Sequence, residues 1–324
     1  METRDLPNTR QILRRHSLAR DPYSEMILTS ANSHMLIEDI HTGIIPFSYD
    51  EYKSPNGVSL EPASEEVEQM ICNALPSHYG RTDDLRGMVC GFVRYAAHVL
   101  AAYGKLDCEI VYYFADQERK KCMAFELHHI PHGIVHHVMG IPFYFDTSGE
   151  DVKKLSLFKR VRRIDPARLI LLDLPSELGS PRRHRRLIGN MARLGQSVIP
   201  SFALEEMKQD KVEKVFDFMS YRKSYELWIA SITMHLGWTA RGTYRERSTE
   251  YFRLVRHLKM KRQMALLRIH IMARLNEALL KVGQVMGFNN QIRMEGLPTP
   301  EKYDELIVKL SKGELPFAEA WKTE

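Results

Sequence analysis

STEYFRLVRHLKMKRQMALLRIHIMARLNEALLKVG, residues 248–283, decides how the second half of this chain folds. Tyr251, Val255, Leu258, Ala265, Ile269, Met272 and Leu279 recur at helical spacing, which gives one face able to pack against protein. Arg253, Arg256, Lys259, Lys261, Arg262, Arg268 and Arg274 are spread among them. With a rise of about 1.5 Å per residue, an unbroken helix of this length reaches roughly 50 Å, longer than an ordinary globular domain needs. It points to an extended or multi-subunit architecture. The plainest reading of its cations is that they are solvated on the outer side of an amphipathic helix.

The rest of the C-terminal half reads the same way. Pro181–Gln196, Lys211–His235 and Pro300–Lys312 are helical in pattern, separated by Pro200, the Gly237–Gly242 segment and Leu297–Pro300. The N-terminal half differs. A helix is expected from Ser64, as N-cap, to Leu75. A clearer one starts under Asp83 or Asp84, repeats Leu85, Met88, Val89, Phe92, Val93, Ala96 and Leu100, and stops at Gly104. Beyond Gly104 the period becomes that of strands, with Cys108–Ala115 and Cys122–Ile130 flanking a polar turn at Asp116–Lys120. Short strands are expected at Ile134–Val138 and Ile141–Asp146, the latter closing in a Ser148-Gly149 turn, and at Leu169–Leu174. The fold class that follows is α+β: a small antiparallel sheet with a covering helix, then a mainly helical region with one long helix. The first twenty residues, with Arg4, Arg10, Arg14, Arg15 and Arg20, read as an arm or short helix.

A hydrophobic content of 44% over 324 residues is enough for a real core and two or three structural units. The formal charge of +5 is small, so its distribution matters more than its sum. From Lys153 to Arg193 twelve Lys and Arg residues face only Asp165, Asp173 and Glu177, and a second basic excess runs from Arg241 to Arg274. Acidic excess falls at Glu61, Glu65, Glu66, Glu68, Asp83 and Asp84, and again at Glu295, Glu301, Asp304, Glu305, Glu314 and Glu319. A chain polarised in this way suits a polyanion or head-to-tail contact between copies of itself. Cys72, Cys90, Cys108 and Cys122 form no CxxC pair, and the chain starts without an apolar signal segment, so a reducing compartment is expected. No apolar run approaches the ~20 residues needed to cross a bilayer, and no acylation or prenylation signal stands at either end.

Candidate chemistry is sparse. His128, His129, His132, His136 and His137 are the obvious metal ligands by residue type, but Pro131 and Gly133 break any helix that would align them, and neighbouring strand positions point to opposite faces. No metal is expected there. Asp146-Thr-Ser-Gly149 resembles one half of an aspartic-protease dyad without a second copy, and reads as a β-turn. There is no HExxH, GxSxG, Walker loop or GxGxxG, so no enzyme activity and no cofactor is expected. His98 and His270 lie in apolar helical stretches and read as packed or interface residues. The basic runs remain. Arg182, Arg183, Arg185 and Arg186 surround the first turns of a helix, whose free amides add to their attraction for phosphate. Arg241, Arg245 and Arg247, flanked by Trp238 and Tyr244, form a second such place. Contacts of this type would be sequence-blind and salt-dependent, and pairing with acidic patches of a neighbouring subunit is the alternative use.

From Glu65 to Trp321 the order of elements resembles the portal proteins of tailed bacteriophages, the head-to-tail connector rings through which double-stranded DNA is packaged. Ala101-Ala-Tyr-Gly-Lys-Leu-Asp-Cys-Glu-Ile-Val-Tyr-Tyr113 is similar to the wing segment where a helix ends at Tyr-Gly and a strand follows. Phe125-Glu-Leu-His-His-Ile-Pro131 and Gly140-Ile-Pro-Phe-Tyr-Phe145 are similar to the next wing hairpins. Ile164–Leu172 followed by Gly179-Ser-Pro181 resembles the strand and turn leading into the stem. Leu236-Gly-Trp238, a loop, and a long helix containing Arg274-Leu-Asn-Glu277 resemble the tunnel-loop region and its adjoining helix, and Ile292–Leu297 with Tyr303–Glu314 the closing helical segment.

The resemblance implies an arm and wing entry over 1–63, a wing domain over 64–178, and stem helices with a short clip over 179–236. A tunnel loop over 237–249 and a long wing helix with a short helical C-terminal region over 250–324 complete it. It further implies a homo-oligomeric ring of about twelve subunits at the capsid vertex of the virion, assembled in the host cytoplasm. Double-stranded DNA would pass through it, and its partners would be the major capsid protein, the terminase and neck or tail adaptor proteins. Arg182, Arg183, Arg185, Arg186, Arg241, Arg245 and Arg247 would be channel or subunit-interface residues. Only about fifteen residues separate Gln196 from Lys211, so the clip would be much reduced. The rival readings are a cytoplasmic nucleic-acid-binding protein using the basic runs as a fixed site, and a metal-dependent hydrolase centred on His128, His129 and His132.

Overall fold

The computed structural model describes residues 31–46, 57–76, 84–114, 122–130, 135–138, 141–145, 161–196, 218–240 and 249–322. Outside these lie the N-terminal arm, the 116–120 turn, His132, the Asp146–Gly149 turn, the short stretch between Gln196 and Lys211 expected to hold the clip together with the start of the helix expected from Lys211, and Arg241, Arg245 and Arg247. The described elements run α1 (Ala31–Gly43), β1 (Val58–Glu61), α2 (Glu65–Ala74), α3 (Leu85–Tyr103), β2 (Lys105–Phe114), β3 (Cys122–Ile130), β4 (Val135–Val138), β5 (Ile141–Phe145), β6 (Val161–Arg163) and β7 (Leu169–Asp173). There follow α4 (Pro181–Gln196), α5 (Phe218–Ile232), α6 (Glu250–Met286), β8 (Gln291–Met294), α7 (Pro300–Ser311) and α8 (Phe317–Trp321). The chain is mixed α+β with small antiparallel sheets.

Two compact units divide it. The first contains Ser54–Asp173 and Ile271–Glu295; the second contains Glu25–Lys53, Leu174–His270 and Gly296–Glu324. Helix α6 belongs to both, changing units after His270.

In the first unit, local chemistry sets the helix ends. Ser64 Oγ accepts from Val67 N at 3.4 Å, and Asp84 accepts from Arg86 N and Gly87 N at 3.3 and 3.0 Å, satisfying amides that a helix start leaves free. Gly104 ends α3 with φ 78°, and its amide donates to Leu100 O at 2.8 Å. The strand that follows pairs on both edges, in the order β3-β2-β7, all antiparallel. On β3, Phe125 and Leu127 are buried while Ala124 and Glu126 between them are less so, the period of two expected of a half-covered strand. Helix α3 packs on β2 and α2 on β3, with Met88, Val89, Phe92, Val93, Ala96 and Leu100 buried. A second sheet, β4-β5-β6, meets the first through Ile130, Val135, Ile164 and Leu169.

The pair β1-β8 joins residues more than two hundred positions apart, with Leu60 opposite Ile292. Asn276 on α6 holds the β8 strand, its Nδ2 donating to Ile292 O at 2.9 Å and its Oδ1 accepting from Ile292 N at 2.8 Å. Neither strand was expected from the sequence, and Ile292, placed there at the start of a closing helical segment, lies in β8.

The second unit is helical. Leu254, Leu258 and Ala265 of α6 pack with Tyr303, Leu306 and Leu310 of α7 and Ala320 of α8. Each fully buried leucine contributes about 2 kcal/mol. The Arg262–Asp304 ion pair on the same helices, at 2.6 Å and partly exposed, is worth about 0.5 kcal/mol at most. Apolar packing therefore holds α7 down.

Two of the basic residues read as solvated on α6 are instead buried. Arg256 is 4% exposed: its Nη1 donates to Ala230 O at 3.1 Å and its Nη2 to Thr233 Oγ1 at 3.0 Å and to Trp238 O. These acceptors lie where α5 ends and its last carbonyls lose their helical partners. Arg268, 8% exposed, donates to Ile44 O at 3.1 Å and to Pro298 O at 2.5 Å. Conversely Tyr251 and Ile269, read as part of the packing stripe, are 41% and 48% exposed. Leu258, Ala265, Met272 and Leu279 of the expected stripe are buried, and Leu254, Ile271 and Leu275 join them. A guanidinium that meets orphaned carbonyls can occupy a face that hydrophobic periodicity assigns to Leu or Ile.

Two outcomes test this account. Arg256→Leu strands several buried acceptors and should lower stability by about 3 kcal/mol, whereas Lys259→Ala, one turn away and exposed, should stay within about 0.5 kcal/mol, both by urea denaturation. Gly237 has φ 76°, and a Cβ there would sit 2.4 Å from Arg256 O and 2.8 Å from Met260 N. Gly237→Ala should therefore cost about 2–4 kcal/mol, and a thermal midpoint equal to that of the parent chain would refute the close approach.

Candidate functional site

The sequence between Gly179 and Asn190 folds so as to sort its arginines. Gly179, at φ 101°, turns the chain into α4, and Ser180 caps the helix by accepting from Arg183 N at 3.3 Å. Helical geometry then sends His184, Leu187, Ile188, Met191 and Ala192 inward, each 4% exposed or less. Arg182, Arg183, Arg185 and Arg186 are left exposed. Arg183 and Arg186, three residues apart, share an edge of the helix.

That edge borders an open groove of about 470 Å³. Its cations are Arg183 and Arg186 of α4 and Lys259 of α6; its neutral polar groups are Asn190, Ser231 and His235. Leu187, Ile232 and Met234 supply apolar walls, and among the described residues no carboxylate lines it. Among the described residues, no ion pair engages Arg183, Arg186 or Lys259. Arg262 and Arg274, by contrast, are matched by Asp304 and Glu277, each at 2.6 Å.

His235 sits in the turn that ends α5. Its carbonyl accepts from Gln263 Nε2 at 3.4 Å. Burial, reinforced by the neighbouring Arg183 guanidinium, pushes its imidazole below the ordinary value, against an opposing hydrogen bond to the Ile232 backbone. The turn itself is fixed by Thr233, whose Oγ1 donates to Ile229 O at 2.6 Å, and by Trp238, whose Nε1 donates to Asp39 Oδ2 of α1 at 2.7 Å.

Of the seven arginines singled out from the sequence, the structure thus brings Arg183 and Arg186 to a common site, leaves Arg182 and Arg185 on the rest of the exposed face, and does not describe Arg241, Arg245 and Arg247. Lys259 and His235 complete the groove and were not singled out. They come from separate elements, and no local motif links them to Arg183.

The histidine-rich stretch has a different environment. His129 on β3 shares a 2.5 Å hydrogen bond with Tyr95 Oη through Nδ1, with the rings edge to face at 5.6 Å. Burial holds the Tyr95 phenol far above its usual range, so it keeps its proton. His128, one position along, is half-buried, and burial lowers its pKa against the raising effect of Glu126. His136 and His137 lie on β4. Among the described residues no three His, Cys, Asp or Glu side chains converge as metal ligands would. The four cysteines are free thiols, with Cys72, Cys90 and Cys108 buried. No helix among the described residues is long and apolar enough to cross a membrane.

No protein-family model matches the chain, and no curated protein sequence matches it.

The imidazole shifts have a direction that can be measured. His128 and His235 are both held below the ordinary value of 6.5, so the unfolded chain binds more protons as pH falls through that value. Their contribution is intact above 6.5 and is lost progressively between 6.5 and the lower folded values. Urea midpoints should fall from about pH 7 to about pH 5, and the slope should become shallower in His235→Gln and in His128→Gln. An unchanged slope in both variants would remove the assignment.

Proposed function

We propose that this chain is the repeating subunit of a tailed-bacteriophage portal, a ring of about twelve copies at the capsid vertex through which double-stranded DNA is packaged and ejected. The observation that carries the reading is helix α6. Its 37 residues contribute to both compact units, to the helical one up to His270 and to the α+β one from Ile271, and a single long helix at this place in the chain is what the portal resemblance implies. A hairpin-based unit precedes it, followed by the basic helix α4 and by α5.

Surface chemistry on the helical unit supports a protein neighbour. Leu227 and Met234 are 61% and 60% exposed, and Trp228, Tyr251 and Phe252 are also exposed. Apolar side chains of this size in one unit suit burial by an adjacent copy. The exposed Arg182, Arg183, Arg185 and Arg186 suit either a DNA channel or the acidic face of a neighbour, with Arg241, Arg245 and Arg247 in the same role. Capsid protein, terminase and adaptor proteins would be the other partners, and the role is geometric, without catalysis. Passage of DNA calls for weak, sequence-blind contacts, which exposed arginines supply.

A second reading, a nucleic-acid-binding protein with a fixed site, is favoured by one observation: the cations of the basic groove converge from two helices. The two readings part on assembly. Native mass spectrometry of the purified chain at low micromolar concentration should give a discrete species of about twelve copies, visible as rings with a central hole. A population that stays monomeric or dimeric across salt and concentration, while binding DNA with micromolar affinity and a steep salt dependence, would sink the portal reading in favour of the second.

A further inference from the structure

We infer that the groove between α4, the end of α5 and α6 is a discrete oxyanion site that binds a phosphate group and takes up a proton on His235 as it does so. This goes beyond the portal reading, because it concerns a pocket within one chain and holds whether or not the chain forms a ring.

The groove is open, and its volume of about 470 Å³ is ample for a phosphate group. Arg183 and Arg186 provide planar donors matched to tetrahedral oxyanions, and Lys259 adds a point charge from the facing helix. Asn190 and Ser231 add neutral donors. Among the described residues no carboxylate lines the groove, so its cations meet no counter-ion there and an anion from outside would neutralise them.

His235 makes the site proton-linked. The charged groups facing it are Arg183 and Arg186 from α4 and Lys259 from α6; Gln263 of α6 engages its carbonyl, and within its own segment its neighbour is the Ile232 backbone. Burial and the Arg183 guanidinium disfavour the imidazolium. An oxyanion among the cations reverses that balance, so binding raises the affinity of His235 for a proton and acid strengthens binding of the anion. Because Thr233, Trp238 and Arg256 already fix the turn, little chain ordering accompanies binding.

The test is calorimetry on the intact chain at low salt. Inorganic phosphate should bind, and Arg186→Ala and Lys259→Ala should each weaken it by about tenfold, while Arg186→Lys, which keeps the charge and loses the planar fork, should fall between Arg186→Ala and the parent chain. These side chains are exposed or lie at the groove edge, and an unchanged thermal midpoint certifies that each variant folds. Sulfate, which does not titrate near neutrality, reads the proton: at a pH near 6.5, heats in buffers of different ionisation enthalpy should show proton uptake that disappears in His235→Asn. Competition assigns the source. If a short DNA duplex displaces phosphate, the natural ligand is a backbone phosphodiester; if it does not, the ligand is a free or small-molecule phosphate, and either result carries the site. No phosphate binding tighter than roughly 10 mM, affinity indifferent to Arg186→Ala and Lys259→Ala, or sulfate binding without proton uptake would overturn the inference.

Discussion

The helical unit depends on a buried charge meeting a helix end. Moving a guanidinium out of water costs several kcal/mol, and only good geometry with several acceptors offsets that. The C-terminus of α5 supplies it: carbonyls without helical partners carry the negative end of the helix dipole, and Arg256 reaches Ala230 O, Thr233 Oγ1 and Trp238 O from the neighbouring helix. The charge and the orphaned carbonyls satisfy each other. Residues 233–238 are therefore fixed although they form no regular element, and Gly237 lets their backbone pass close to Arg256 O and Met260 N. Met234 and His235 take their places in the groove wall from this contact together with the Thr233 and Trp238 hydrogen bonds.

The same interaction changes how charge should be counted. Basic residues on α6 read as a positive helix, but Arg256 and Arg268 serve backbone carbonyls, while Arg262 and Arg274 face carboxylates. Little of that charge is available to a partner. Lys259 is different, because it is exposed and faces two arginines of α4 across the groove. The electrostatic identity of this surface comes from the residues left uncompensated after folding, which are fewer than composition suggests.

Elements governed by local rules were legible in the sequence. Ser64, Asp84 and Gly104 mark helix ends through chemistry within four residues of the boundary, and α4 begins at Pro181 because Gly179 and Ser180 turn and cap the chain. The β2–β3 hairpin declares itself by alternation on both sides of a polar turn. Strands β1 and β8 do not, since four residues carry too little periodicity and their partner lies across the chain. Burial of Arg256 and Arg268 was illegible for another reason: their acceptors are backbone atoms, whose availability no side-chain pattern records. The groove combines both difficulties. Arg183 and Arg186 were visible as a run, whereas His235 and Lys259 join them only because α4, α5 and α6 pack in one unit.

A groove that gathers cations without a counter-ion is disfavoured by its own repulsion, and its persistence needs a physical reason. Exposure provides part of it, because solvent and salt screen the two guanidinia and the ammonium to modest mutual energies. The neutral state of His235 provides more, since the group nearest Arg183 gives up its proton instead of adding to the charge. What repulsion remains is carried by a scaffold stabilised elsewhere: the apolar contacts of α6 with α7, and the Arg256 clamp on the α5 terminus. Stability and the charged surface are thus held by different residues of the same helix. Leu254, Leu258 and Arg256 face inward, and Lys259 faces out, so the exposed charge can be strongly polarised without endangering the fold.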